Sequence, residues 1–472
     1  MKAPTATTEL TDFPNRFSPM LVKELRQGLR TNIFTTSFIL LQGFMVFTVF
    51  IGAASTGSAN AASGFFWTFL MVTLLVAMPI RGFNALAAEK QNNSLDLLQL
   101  TRLSAWRITF GKWAALMSQT TLLVISILPY LVMRYFFGGI DLIEEFLILF
   151  FTFFASALFT ALTVGFSSFP VLLRGFIVAA TGFICFYAIT IFSFSPTYRT
   201  FGSGRTDPNF WWQIGGIVIA GTYIIYFLLD FGAGQIASLA ENNATRKRLI
   251  SLFFAIAIIL LNLAGVDEGL VFTLAGMVIT LVWADALTER PSTLPSVLRP
   301  FTKSRLYPSA KYLLTPGWHT GILFLIFSSL IFISIFLFSD GILYSDWTIV
   351  NAAMLISLIG SITYPLIFIH LFFPKSNQMF ALYILIQCCT VVISFILALV
   401  GDTSKSIGDV LFFCLPIPPV SLLALSDSAG KNHPLYFLLA SSIFTLISLA
   451  IPLWRARPLY QEMRSKKTNP ES

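Results

Sequence analysis

Three histidines, His319, His370 and His433, are the residues best suited to acid–base work or metal ligation, and they stand apart from one another. None has an Asp or Glu at catalytic spacing, and each falls near a predicted membrane interface. The four cysteines, Cys185, Cys388, Cys389 and Cys414, lie in apolar surroundings without a C-x-x-C or Cys/His pattern, so they read as small buried hydrophobes. An intramembrane enzyme would need a His/Asp, Ser/Lys or Asp/Asp set, and none is apparent. An ion- or proton-coupled carrier would need charged ligands near mid-span. Asp230, Asp285, Arg81 and Arg174 instead fall near the inner ends of apolar runs, and Arg134 is expected to snorkel outward. The nucleotide-cradling pattern G-x-x-x-x-G-K-[ST] is absent. No catalytic residue, metal ligand or bound cofactor is therefore expected of this chain.

The elements that would position functional residues are apolar. Of 472 residues, 56% are hydrophobic and only 11% charged, too few polar groups to coat a soluble fold. Apolar runs long enough to cross about 30 Å of hydrocarbon recur throughout. The predicted spans are 33–53, 64–86, 113–136, 146–168, 171–194, 212–232, 249–266, 269–288, 320–339, 348–372, 380–400 and 434–454. The first 32 residues are polar, with Pro14 and Pro19, so the run from Ile33 is expected to act as an uncleaved anchor. A further apolar piece, 408–426, carries Pro416, Pro418 and Pro419 in mid-segment and reads as a re-entrant or interfacial pair of short helices. The expected fold is thus an all-α polytopic membrane protein. It would have twelve transmembrane helices in two six-helix halves, 33–240 and 241–472, behind an N-terminal tail and interfacial helix at 1–32.

Charge orients this layout. With both termini cytoplasmic, twelve spans place 25 of the 30 basic residues on the inner side, leaving Arg134, Arg199, Arg205, Lys405 and Lys431 outside. Thirteen spans would move the C-terminal cluster Arg455, Arg457, Arg464, Lys466 and Lys467 outward as well. The positive-inside rule thereby accounts for the basic pI without nucleic acid, and the expected home is the cell (inner or plasma) membrane. Each half carries its largest basic inner loop between its second and third span, at 84–112 and 289–319. The halves show no clear residue-level match, so a repeat is suggested by layout alone.

Two polar segments stand out against the apolar runs. PMLVKELRQGLR, Pro19 to Arg30, puts Leu21, Val22, Leu25 and Leu29 on one side of a helix, with Lys23, Glu24, Arg26, Gln27 and Arg30 elsewhere. EKQNNSLDLLQLTRLSAWRITFGK, Glu89 to Lys112, reads as a short amphipathic helix, a break, and the start of the third span. Asn93 or Ser94 can cap the first helix, and Asp96 sits in its first turn. Leu95, Leu97, Leu98, Leu100 and Leu103 make it leucine-rich. Ser104 then caps a second helix, with Trp106 and Lys112 at anchoring depth.

Both segments resemble the permease subunit of the type-2, export-type ATP-binding-cassette (ABC) transporter family. The first matches at Pro19, Lys23, Glu24, Leu25, Arg26, Gln27, Leu29 and Arg30. The second matches at Glu89, Leu95 to Leu98, Leu100, Thr101, Leu103, Ser104, Trp106, Ile108, Gly111 and Lys112. It departs at Asn93, Ser94, Arg102 and Ala105, where the family has Gly, Thr, Pro and Pro. The match spans roughly residues 19–140, and the second half follows by layout only.

The resemblance implies a membrane permease whose ATP and magnesium are bound by a separate ATPase subunit. Glu89, Leu95, Asp96, Leu98, Arg102 and Trp106 would form the coupling helix that docks on that subunit. Lys23, Glu24, Arg26 and Arg30 would form the interfacial connecting helix. Its other partners would be the lipid bilayer and, if one chain supplies only one membrane domain, a second permease copy or homologue. A secondary carrier and a non-transporting scaffold of a secretion or motility assembly share the layout and remain open at this point. Single cysteines introduced after residue 460 are expected to react with an impermeant maleimide only from the cytoplasmic side; labelling from outside would favour thirteen spans.

Overall fold

A computed structural model describes residues 19–54, 59–87, 104–136, 141–194, 208–237, 242–261, 268–292, 310–338, 349–374, 378–403, 417–426 and 433–465, apart from a few single positions. Among these residues the regular structure is entirely helical. They fall into two compact units, Met1–Ala237 and Ser238–Ser472.

The first unit opens with α1 (Pro19–Leu29) and α2 (Asn32–Ala54). Helix α3 starts as Ala59–Met71 and runs through a π-helical turn, Val72–Ala77, into Met78–Ile80 and a 3-10 turn, Arg81–Asn84. Then come α4 (Ala105–Phe136), α5 (Leu142–Phe166), α6 (Val171–Phe194) and α7 (Pro208–Ile236). The second unit contains α8 (Ala244–Leu260), α9 (Glu268–Ala286), the short α10 (Lys311–Leu314) and α11 (Trp318–Phe338). It continues with α12 (Ile349–Thr363), α13 (Pro365–Phe372), α14 (Met379–Thr403), α15 (Pro418–Ser426) and α16 (Pro434–Ser465).

Eight of the described helices are long and apolar enough to cross a membrane: Asn32–Ala54, Ser63–Asn84, Ala105–Phe136, Leu142–Phe166, Phe210–Ile236, Gly269–Ala286, Ala352–Phe372 and Pro434–Met463. Leu173–Tyr187, Trp318–Ser334 and Met379–Ser394 are shorter apolar helices. Side chains are distributed for an apolar solvent. Phe50, Phe183, Phe253 and Leu446 point outward, while Thr152, Ser156, Thr160, Ser357, Ser441 and Ser448 are buried. The chain is an all-α multi-pass membrane protein.

Prolines fall inside several spans, among them Pro129 of α4 and Pro452 and Pro458 of α16. At two of the interruptions, Pro79 and Pro365, the freed carbonyls are reached by a neighbouring helix. Pro79 has no N–H to give to Leu75 in an α-turn or to Leu74 in a π-turn. The Ser156 hydroxyl of α5 donates to the Leu74 carbonyl at 2.6 Å, and the Cys185 thiol of α6 reaches the Leu75 carbonyl at 3.6 Å. Pro365 likewise frees the Ser361 carbonyl at the α12–α13 junction, where Gln387 Nε2 of α14 donates at 2.7 Å. Tyr383 OH donates to the next carbonyl, Ile362, at 2.8 Å.

The expected re-entrant segment lies at 408–426, and its described part is α15. Pro418 and Pro419 occupy the first turn, where a missing N–H leaves no helical bond unmade. Val420, Ala424 and Leu425 are buried with Ala353 and Phe437, so this short helix is sheathed in protein.

The stripe Ala157, Ala161 and Gly165 on α5 is buried, and Gly165 lies against α7. A Cβ on Gly165 would run into the Leu228 backbone, and one on Gly232 into Gly165 itself. Gly165→Leu is therefore expected to cost about 1–3 kcal/mol through overpacking. Gly175→Ala, where nothing lies within 4 Å, should be neutral or stabilising by up to about 1 kcal/mol. Melting midpoints of the purified protein would show this, and equal midpoints would refute the close α5–α7 contact.

Candidate functional site

Of the coupling-helix residues predicted from sequence, Glu89, Leu95, Asp96, Leu98 and Arg102 lie outside the described residues, and Trp106 lies within them. Both flanks of that segment are held in place. On the entering side Leu86 is buried, and its N–H donates to Ser167 Oγ at 3.1 Å, just past the end of α5. On the leaving side α4 begins at Ala105, directly after Ser104, and the Ile108 N–H donates to the Ser104 carbonyl at 3.3 Å. Leu86, Ala105 and Ile108 pack with Ala233 and Ile236 from the last turns of α7. Trp106 stands against Tyr226 with ring centroids 5.2 Å apart and against Phe110 at 5.9 Å. One apolar cluster thus pins the end of α3 and the start of α4 to α7.

Helix α1 is clamped to the same place. Lys112, one of the buried charges of α4, forms an ion pair with Glu24 at 3.0 Å. A buried ammonium needs such a partner, because desolvation is costly. At the end of α3, the Arg81 guanidinium donates to the Gly28 carbonyl at 3.0 Å and to Thr31 Oγ1 at 2.9 Å, and it also reaches Gln119 Oε1 of α4. Its face lies over the Phe34 ring at 5.8 Å. The predicted connecting-helix residues accordingly separate: Glu24 turns inward to α4, whereas Lys23, Arg26 and Arg30 are exposed.

Arg134 corrects the snorkelling expectation. It is only 4% exposed, held by both oxygens of Glu145 at 3.0 and 3.3 Å. It also donates to Ser63 at 2.7 Å and lies 4.2 Å over the Phe66 ring. A short connection brings the acidic first turn of α5 back beside the last turn of α4. A neutralising partner at hand makes burial cheaper than stretching outward.

The most elaborate polar site of the second unit was not anticipated as a site. Lys247 and Arg248 open α8, Asp285 ends α9, and Glu289 follows four residues later. Lys247 Nζ meets Asp285 at 2.6 Å and Glu289 at 3.4 Å, while Arg248 meets Glu289 at 2.7 Å. Arg248 also donates to the Leu313 carbonyl at 2.5 Å and to Thr320 Oγ1 at 3.2 Å, with its face 5.5 Å from Phe324. Gly317 closes the turn with φ 138°, a conformation that favours glycine, and its N–H reaches Glu289 at 3.3 Å. The two cations and two carboxylates cancel. Burial alone would raise the Glu289 pKa, but Arg248, then Lys247 and the Gly317 N–H, hold it below its ordinary value.

The end of α16 is tied to this cluster's neighbours. Lys311 Nζ donates to the Met463 carbonyl at 3.1 Å, Tyr460 OH donates to the His319 carbonyl at 2.6 Å, and His319 Nε2 lies 3.3 Å from Met463 Sδ. His319 and His370 are both buried, and both ring systems stand beside Trp318. The signals in sequence were Asp285 and Glu289 at four-residue spacing and the adjacent pair Lys247–Arg248. From sequence, Asp285 is placed only near the inner end of an apolar run, and the spacing to Glu289 goes unused.

These contacts define a class: a helical membrane protein whose loop-bearing ends are locked by buried ion pairs. No known protein family, curated protein or solved structure matches the chain.

Removing Arg248 strands Glu289, so Arg248→Met should cost on the order of 3–5 kcal/mol, and Arg248→Met with Glu289→Leu should recover most of it. Because the folded pKa of Glu289 is depressed, its stabilisation is complete above its unfolded value of about 4.3 and is lost as pH falls through the lower folded value. Thermal midpoints across acidic pH should drop for the wild type and drop less for Glu289→Gln. Parallel pH curves would remove Glu289 from this role.

Proposed function

We propose that the chain is the membrane permease of an ATP-driven exporter resembling the type-2 ABC family, with ATP and magnesium handled by a separate ATPase subunit. In this reading it has twelve spans and lies in the plasma or inner membrane with both termini cytoplasmic. One observation carries the proposal. Glu24 and Lys112, which belong to the two family-like segments, meet as an ion pair. Segments far apart in sequence thereby act as one mechanical part, as coupling requires.

The 88–103 segment would dock on the ATPase. Its flanks join α3 and α4 directly, and α4 is joined to α1 by Glu24–Lys112 and through Arg81. A push on the segment would then move α1, α3 and α4 together, and the bend at Pro79 gives α3 a place to flex. Trp106, set against Tyr226, would pass the displacement to α7.

Charge reversal at Asp96 together with Arg102, or deletion of 93–103, is expected to abolish co-purification of the ATPase subunit. Glu24→Lys should leave binding intact but uncouple ATP hydrolysis from transport, and adding Lys112→Glu should restore coupling. If ATPase binding survives both the reversal and the deletion, the docking role of this segment is wrong.

A further inference from the structure

His319 holds the end of α16 at two points. Its ring Nε2 lies 3.3 Å from Met463 Sδ, and its backbone carbonyl accepts from Tyr460 OH at 2.6 Å. A thioether sulfur offers no proton, so the shared proton is assigned to Nε2. The Tyr460 ring also stands against the imidazole, with centroids 5.5 Å apart. A third tie, from Lys311 Nζ to the Met463 carbonyl, comes from α10. Tyr460 and Met463 both lie beyond Pro458, which has no N–H to give to the Trp454 carbonyl. The last turns of α16 are thus joined to the rest of their helix by a weakened ladder, and to α10 and α11 by these side-chain contacts.

The site suits a neutral ring. Nδ1 is buried and meets no acceptor among the described residues, so a second proton there would go unbonded. The charges around it are already spoken for. Lys247 and Arg248 of α8 are matched by Asp285 of α9 and Glu289 just after it. Helix α10 brings Lys311 and Tyr312, and α16 brings Tyr460 and, next to His370 of α13, Arg455. His319 itself precedes the predicted span 320–339. Burial first and Arg248 second lower its ring pKa from the ordinary 6.5 to about 4, against an opposing pull from Glu289.

We infer that His319 is an acid-sensitive latch: a proton added at Nδ1 drives the ring from its site and frees residues 459–465 of α16 to move off α10 and α11. The opened ring takes up a proton below about pH 6.5, whereas the closed ring does so only near pH 4. Closure is therefore complete above 6.5 and weakens as pH falls between those values. The inference does not draw on the exporter reading. It gives the buried histidine and the interior proline of α16 a joint role.

The full chain, purified in detergent, is pulsed with hydrogen peroxide at pH 7.5 and at pH 5, and sulfoxide at Met463 is read by peptide mass spectrometry. Met463 is 2% exposed, so the closed latch protects it. In the wild type its oxidation should rise about tenfold or more at pH 5, as the two ring values require. Met78 of α3, 1% exposed, should stay protected at both. His319→Phe keeps a ring in the site and His319→Gln keeps a donor for the sulfur, and neither side chain titrates. Both should lose the acid response, whether Met463 is protected or exposed at pH 7.5. No rise in the wild type overturns the proposal. So does a rise of the same size in either variant, which would assign the titration to another group. Oxidation of Met78 in step with Met463 overturns it too, because the acid effect would then be general unfolding.

Discussion

A carbonyl without a donor in hydrocarbon costs several kcal/mol, and this constraint governs how the chain can bend. A straight span satisfies itself. One interrupted by proline frees a carbonyl, and at two such places here a neighbour supplies the donor. At Pro79 the donors are Ser156 and Cys185, from α5 and α6. At Pro365 they are Gln387 and Tyr383, both from α14. These bonds tie α3 to α5 and α6, and the α12–α13 junction to α14, so the polar side chains that make them have a structural role. The short helix α15 meets the same constraint differently, by spending its prolines in a first turn that has no bonds to lose and burying the rest.

Charges obey a stricter form of the rule. Arg134 with Glu145, Lys112 with Glu24, and the four-residue cluster around Arg248 each pair a cation with a carboxylate close to a span end. Each pair also joins elements that apolar contacts alone would leave free to slide. Hydrophobic side chains gain little from one another in lipid, because lipid is as apolar as they are. A buried ion pair, by contrast, has one arrangement that satisfies it and many that strand a charge. In this setting, ionic pairs near the helix ends give register and small-residue contacts such as Gly165–Gly232 give closeness.

The helical membrane class was legible in the apolar runs because hydropathy over about 20 residues reports directly on the solvent. The amphipathic helix at 19–29, the helix start after Ser104 and the small-residue stripe on α5 were legible too, since each depends on residues close in sequence. What sequence could not show was convergence. Lys247 and Arg248 at the start of α8 meet Asp285 and Glu289 at and just after the end of α9, residues some 40 positions apart in sequence. Arg134 looked free to snorkel because Glu145 lies on another helix. The π-helical turn before Pro79 had a visible cause in the proline, but its partners Ser156 and Cys185 are far along the chain. For the candidate site, sequence placed Glu24 and Lys112 in two separate segments, and only the fold joins them.

Stiffness follows from this placement. Near the loop-bearing ends, Arg81, Lys112 and Arg248 each hold several elements at once, so moving one element there means breaking charge-assisted bonds or moving its partners with it. Pro79 and Pro365 interrupt the helical ladder, and the bonds that replace it are single contacts from hydroxyl, thiol and amide side chains. Such contacts exchange at lower cost than a run of backbone bonds.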